Sequence, residues 1–103
     1  MYRLLFASYR KKTLTRKQFL DHYLTVHVAI ARRFPGLRDY QIFPMPADAP
    51  DTGGPDAYAT MAFDNEEAFK ELVASPVFAE AVRDNETQLD HYDTCIVDHV
   101  RVV

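Results

Sequence analysis

His27 and Tyr40 are the two residues whose type and setting could do chemistry. His27 lies beside Tyr23 and Ile30 on an apolar stripe at helical spacing. A partly buried imidazole there can act as general base or acid near neutral pH. Tyr40 follows the Pro35-Gly36 turn by four residues, near the start of a strand. That placement can bring its hydroxyl to the face of the preceding helix, where it could donate to a developing oxyanion or enolate. Each has a plainer alternative, a core group hydrogen-bonded only for structure.

Other polar clusters carry less. His22 and His27 stand five apart, which on an α-helix is about 500° of rotation and leaves the side chains about 140° apart. They are not expected to share a metal ion, and no H-x-x-x-H or H-E-x-x-H run occurs. Asp90-His91-Tyr92-Asp93 falls at an expected helix-to-strand turn. Asp98-His99 alternates on an expected strand, so one of the two should face inward as a secondary polar contact. No metal site is expected. Cys95 reads as a small buried residue. Ser8 and Ser75 have no nucleophile elbow around them. With glycine only at 36, 53 and 54, no phosphate cradle exists, so no nucleotide cofactor is expected and none is required for proton transfer.

The elements that must position His27 and Tyr40 can be read along the chain. Tyr2–Tyr9 reads as a strand, bounded by the polar run Arg10-Lys11-Lys12. Thr15-x-x-Gln18 is a capping box, and Leu14 and Phe19 are placed for a hydrophobic staple, so a helix starts near Arg16. Its apolar positions are Phe19, Tyr23, Val26, Ile30 and Phe34, widened by Leu20, Leu24 and Ala31; Pro35-Gly36 ends it. Arg38–Met45 is a second strand. The loop from Pro44 to Asp56 is either a lid or a proline-stiffened connection. Ala57–Phe63 is a third strand. Asp64-x-x-Glu67 is a second capping box, opening a helix with Phe69, Leu72 and Val73 on one face. Ser75-Pro76 restarts the helix, with Phe78, Val82 and Leu89 continuing the apolar face. Thr94–Val103 is a final strand.

The order β-α-β-β-α-β defines an α+β fold, a ferredoxin-like single domain over residues 1–103 with a four-stranded antiparallel sheet and both helices on one face. Yet both faces of the strands are apolar. Leu4 and Phe6 oppose Leu5 and Ala7, and Tyr40 and Ile42 oppose Phe43 and Met45. An uncovered apolar face of several hundred Å2 is unusual on a monomer, so a homodimer through the sheet face is expected.

Composition excludes other classes. At 103 residues, 48% hydrophobic and 13% aromatic, the chain holds one core and is not disordered. The net charge of −3 hides a split: residues 1–38 carry +8 and residues 39–103 carry −11. The basic run Arg10-Lys11-Lys12 with Arg16 and Lys17 reads as a solvated loop and helix start. No RNP-like run accompanies it, so no nucleic-acid partner is expected. The opposite signs are expected to meet where the two helices lie side by side. No stretch approaches the roughly 20 apolar residues of a membrane helix. The Leu4–Ala7 run is too short for a signal segment, and the lone cysteine fits a reducing compartment, so a cytoplasmic location is expected.

The run Phe19-x-x-x-Tyr23-x-x-x-His27, followed by Phe34-Pro35-Gly36-Leu37-Arg38-Asp39-Tyr40, closely resembles the EthD family; Ser75-Pro76, Asp84 and Leu89-Asp90 are also similar. The family's usual Trp in the first helix is replaced here by His22-Tyr23. The resemblance implies a dimeric α/β-barrel, two sheets face to face with helices outside. It also implies cofactor-free isomerase, cyclase, dehydratase or lyase chemistry on a small carbonyl, lactone or polyketide-like substrate. In that scheme His27 shuttles a proton and Tyr40 stabilises charge on oxygen, inside a pocket of Phe6, Phe19, Tyr23 and Phe78. The alternative it leaves open is a non-catalytic accessory or ligand-binding protein in a monooxygenase-linked degradation pathway.

Overall fold

The computed structural model describes all of residues 1–103. Strands β1 (Tyr2–Arg10), β2 (Asp39–Pro44), β3 (Ala57–Phe63) and β4 (Leu89–Val97) form one antiparallel sheet in the order β2-β3-β1-β4. Three helical stretches lie on one side of it. The first runs from Arg16 to Ala31, with a π-helical turn at Tyr23–His27 between α-helical segments Arg16–His22 and Val28–Ala31. The second is Glu66–Val73 and the third Pro76–Gln88. No helix is long and apolar enough to cross a membrane.

Local signals explain these boundaries. Thr15 accepts from the Gln18 N–H while the Gln18 side chain returns to the Thr15 N–H, a complete capping box. Gly36, at φ +77°, makes the turn after the first helix; a side chain is disfavoured there by that backbone angle, although an added Cβ would meet Ala68 only at ordinary contact distance. Ser75 caps the third helix, with Pro76 as its first residue. The second helix departs from expectation. Its cap is Asn65, which accepts from Ala68 N–H, because Asp64 is held by a two-point bond from Arg38.

The sheet is apolar on both faces. Leu4, Met61 and Phe63 point toward the helices and pack with Ile30, Phe34 and Leu72. The register puts Leu5, Thr60, Gln41 and Cys95 in one row on the opposite face, beside a row of Ala7, Tyr58, Phe43 and Asp93. Cys95 is therefore exposed, not buried: it lies on the uncovered face. The final strand also differs, beginning at Leu89 and ending at Val97. Val97 pairs with Arg3, and β1 starts at Tyr2, so the β-branched residues beyond have almost no partner strand to join. Asp98 and His99 consequently lie outside the sheet. Asp90-His91-Tyr92-Asp93 lies within β4, where His91 stacks on Tyr9 with ring centroids 4.1 Å apart.

The opposite charges of the two halves do meet between helices, as Arg33 with Glu80. The 45–56 loop is strapped to the body. Asp56 receives both Arg10 and Arg16, Arg16 Nη1 donates to the Ala49 carbonyl at 2.6 Å, and Arg10 Nη2 donates to Asp51 at 2.8 Å.

Candidate active site

A cavity of about 260 Å3 lies between the covered face of the sheet and the first and third helices. Tyr23 and His27 enter it from the first helix, Phe6 and Tyr40 from the sheet, and Phe78 and Asn85 from the third helix. Five of the six residues singled out in the sequence thus line one cavity: Phe6, Tyr23, His27, Tyr40 and Phe78. The sixth, Phe19, is not part of the lining. It is 1% exposed, in a separate cluster with Leu20 and Ala57, and meets Tyr23 edge-on at 5.6 Å. One helical turn before Tyr23, it faces the core and backs the Tyr23 ring. None of the 45–56 loop lines the cavity, so that loop is no lid over it.

The π turn sets the site's polar geometry. The Val28 N–H reaches back to the Tyr23 carbonyl, five residues away. Within the turn, the Thr25 hydroxyl donates to the Asp21 carbonyl at 2.5 Å, a side-chain bond of the kind that loosens an α-helical ladder. Closing at five residues stacks positions that an α-helix would splay apart. His22 and His27 therefore share a face, and both meet Asp84 of the third helix. His22 Nε2 lies 2.7 Å from Asp84 Oδ1, and His27 Nδ1 lies 2.8 Å from Asp84 Oδ2. The separation of about 140° expected for an α-helix does not hold, because the intervening turn is not α-helical. The same turn moves Val26 and Leu24 off the buried stripe; both are nearly half exposed. The inward series becomes Phe19, Tyr23, His27, Ile30 and Phe34.

Asp84 settles which nitrogen of His27 is free. An ionised carboxylate only accepts, so Nδ1 carries the proton and Nε2 is left as the ring's acceptor. The His27 and Asp84 side chains are 12% and 13% exposed, whereas that of His22 is 27% exposed, on the solvent side of the pair. The Tyr23 and His27 rings meet edge-on at 5.4 Å.

Tyr40 supplies the other polar group. Its hydroxyl is buried and has no hydrogen-bond partner. Burial, then the neighbouring Tyr23, pushes its pKa far above the usual phenol value. Burial also raises Tyr23. The two hydroxyls are close enough to influence each other's ionisation, but their alignment leaves Tyr40 Oη unsatisfied. Both stay protonated near neutral pH, so Tyr40 keeps a hydroxyl proton that it can offer to a ligand oxygen. His22, His27 and Asp84 are paired with one another, and no group of three or more His, Cys, Asp or Glu side chains is placed to hold a metal ion.

A ferredoxin-like α+β layer with a half-open cavity between sheet and helices is the class that fold and site define. Comparison with solved structures agrees. An EthD family protein of Bacillus halodurans superposes with a TM-score of 0.74 at 19% identity, covering 97% of this chain and 100% of its own. A dimeric ferredoxin-like protein of Thermobifida fusca gives 0.74 at 17% identity, covering 93% and 88%. HapK of Hahella chejuensis gives 0.71 at 10% identity, covering 100% and 98%. A search of curated proteins finds no match. The EthD domain matches residues 11–91, and the chain belongs to that family.

Proposed function

We propose that the protein catalyses cofactor-free proton transfer on a small carbonyl compound, of isomerase, cyclase, dehydratase or lyase type. One observation carries this reading: an unpartnered hydroxyl and an imidazole with a fixed tautomer line the same apolar cavity. His27 Nε2 takes a proton from the carbon next to the carbonyl. The C–H electron pair becomes the enolate double bond, and the carbonyl pair moves onto oxygen, which accepts from Tyr40. Asp84 lies beside the positive charge that His27 then carries. Return of the proton to a different atom of the substrate completes an isomerisation.

The test is deuterium exchange at the α-carbon of 1-tetralone in D2O, followed by NMR. The protein should speed exchange above the buffer rate, His27→Ala should abolish the gain, and Tyr40→Phe should reduce it by about 10²-fold. Full exchange by His27→Ala rules out the base. The alternative reading, a non-catalytic ligand-binding accessory of an oxidative degradation pathway, draws on the thin polar inventory of the cavity. It requires saturable binding with no exchange.

We also propose a homodimer through the uncovered sheet face. Leu5, Ala7, Phe43, Tyr58 and Val97 lie there without cover, and the Thermobifida fusca neighbour is described as dimeric. Sedimentation at low concentration checks it; a well-folded monomer disposes of the proposal.

A further inference from the structure

The cavity is sorted by charge from its less exposed lining to its rim. The less exposed lining holds the unpartnered Tyr40 hydroxyl, with His27, Ser8 and Asn85 and apolar side chains such as Met61 and Leu72. The exposed rim carries Glu86 and Asp90, with His91 at 2.6 Å from the Asp90 carboxylate. No lysine or arginine lines the cavity, although the chain has twelve. Several arginines are committed elsewhere: Arg10 and Arg16 to Asp56, Arg33 to Glu80, and Arg38 to Asp64. A ligand carboxylate entering here would pass two carboxylates and then lose its hydration with no lysine or arginine to pair with. A neutral oxygen meets the opposite situation. The Tyr40 hydroxyl is already desolvated and unpaired, so it gains a bond without giving one up. The volume, about 260 Å3, lies just below the roughly 300 Å3 where small-molecule sites begin, which suits a compact ring compound.

We infer that the cavity selects uncharged ligands: compact, apolar ring compounds with one carbonyl or hydroxyl oxygen at the Tyr40 end. It rejects organic acids of the same size. This rests on reading the cavity as a ligand site and adds its charge selectivity. Specificity comes from what the rim repels as much as from what the less exposed lining binds.

Three probes of similar size test it by isothermal titration near neutral pH: 1-tetralone, tetralin (the same rings without oxygen) and 1-naphthoate. The His27 Cε1 resonance reports whether a probe occupies this cavity. Saturable binding of 1-tetralone with a His27 shift is expected. Tetralin should bind about two- to tenfold more weakly, the range of one neutral hydrogen bond. 1-Naphthoate should bind at least about tenfold more weakly than the ketone. Tyr40→Phe should erase the ketone's advantage over tetralin. The pair Glu86→Gln and Asp90→Asn should narrow the gap between naphthoate and ketone.

Failure of the ketone to bind overturns the inference. So does naphthoate binding within twofold of it with the same His27 shift, or a ketone advantage that survives Tyr40→Phe. Ketone binding without deuterium exchange would sink the catalytic reading and leave the charge selectivity standing.

Discussion

Asp56 and Asp84 each bridge two basic side chains from the first part of the chain, and they do opposite things. Asp56 stands just before β3, 3% exposed at the side chain, between Arg10 and Arg16. Its Oδ2 also accepts the Arg10 backbone N–H at 3.0 Å. Guanidinium groups keep their charge at every pH a protein meets, so the cluster has one state and serves as a clamp. Asp84 stands between two imidazoles, which as a class gain and lose a proton near neutral pH. One of them borders the cavity and the other faces solvent. A carboxylate between permanent charges holds the chain still; between titratable rings it can hold a ring still while that ring's charge changes.

The largest expected effect breaks the clamp. Asp56→Ala leaves two arginines without their shared carboxylate, one of them buried, and should destabilise the fold by about 3–5 kcal/mol. For a domain of this size that lowers Tm by more than about 10 °C. Urea or thermal melts check it, and a near-normal Tm would mean Asp56 is no clamp. Asp84→Asn should invert that pattern. Its amide can donate toward His27 Nδ1 and favour the wrong tautomer. The kcat for deuterium exchange should fall about 10²-fold with KM within about twofold, while the melt moves far less than for Asp56→Ala.

A smaller effect is in the tyrosines. Tyr40 and Tyr23 are raised above the usual phenol value in the fold. The unfolded chain therefore loses these protons first, from about pH 10, while the folded chain keeps them. The stability they contribute is whole below about pH 10 and is lost as pH climbs toward the folded values. Tyr40→Phe should flatten that alkaline decline, as urea melts between pH 8 and 11 would show; an unchanged decline would mean the hydroxyl is not buried in solution. The smallest effect belongs to the exposed pair Arg33 and Glu80, where Arg33→Ala should shift stability by less than about 1 kcal/mol.

The sequence was most legible where its signals are local. The Thr15–Gln18 box, the Ser75-Pro76 restart and the bounds of β3 depend on neighbouring residues, and all appear as read. The two-faced strands depend on period two and were equally plain. Tyr23, His27 and Tyr40 could be picked out because each follows a local marker: an apolar stripe or a Pro-Gly turn. The role of Asp84 could not be seen. It depends on a π turn, which has no signature beyond a mid-helix Thr25, and on a helix more than fifty residues away. Cys95 was misplaced for another reason: a β-branched strand looks buried whether or not anything covers that face. The end of β4 was overrun because sequence shows the strand's own propensity and not where its neighbour stops.

A π turn amounts to one residue spliced into an α-helix without rotating the flanks. Taking out one exposed residue of it, Leu24 or Thr25, would let the ladder close at four. His22 and His27 would then stand four apart, still on one face. The pair is an H-x-x-x-H spelled with an extra letter, which a pattern search would pass over. A chain one residue shorter in this turn would carry the same two imidazoles at spacing four, with the same carboxylate between them.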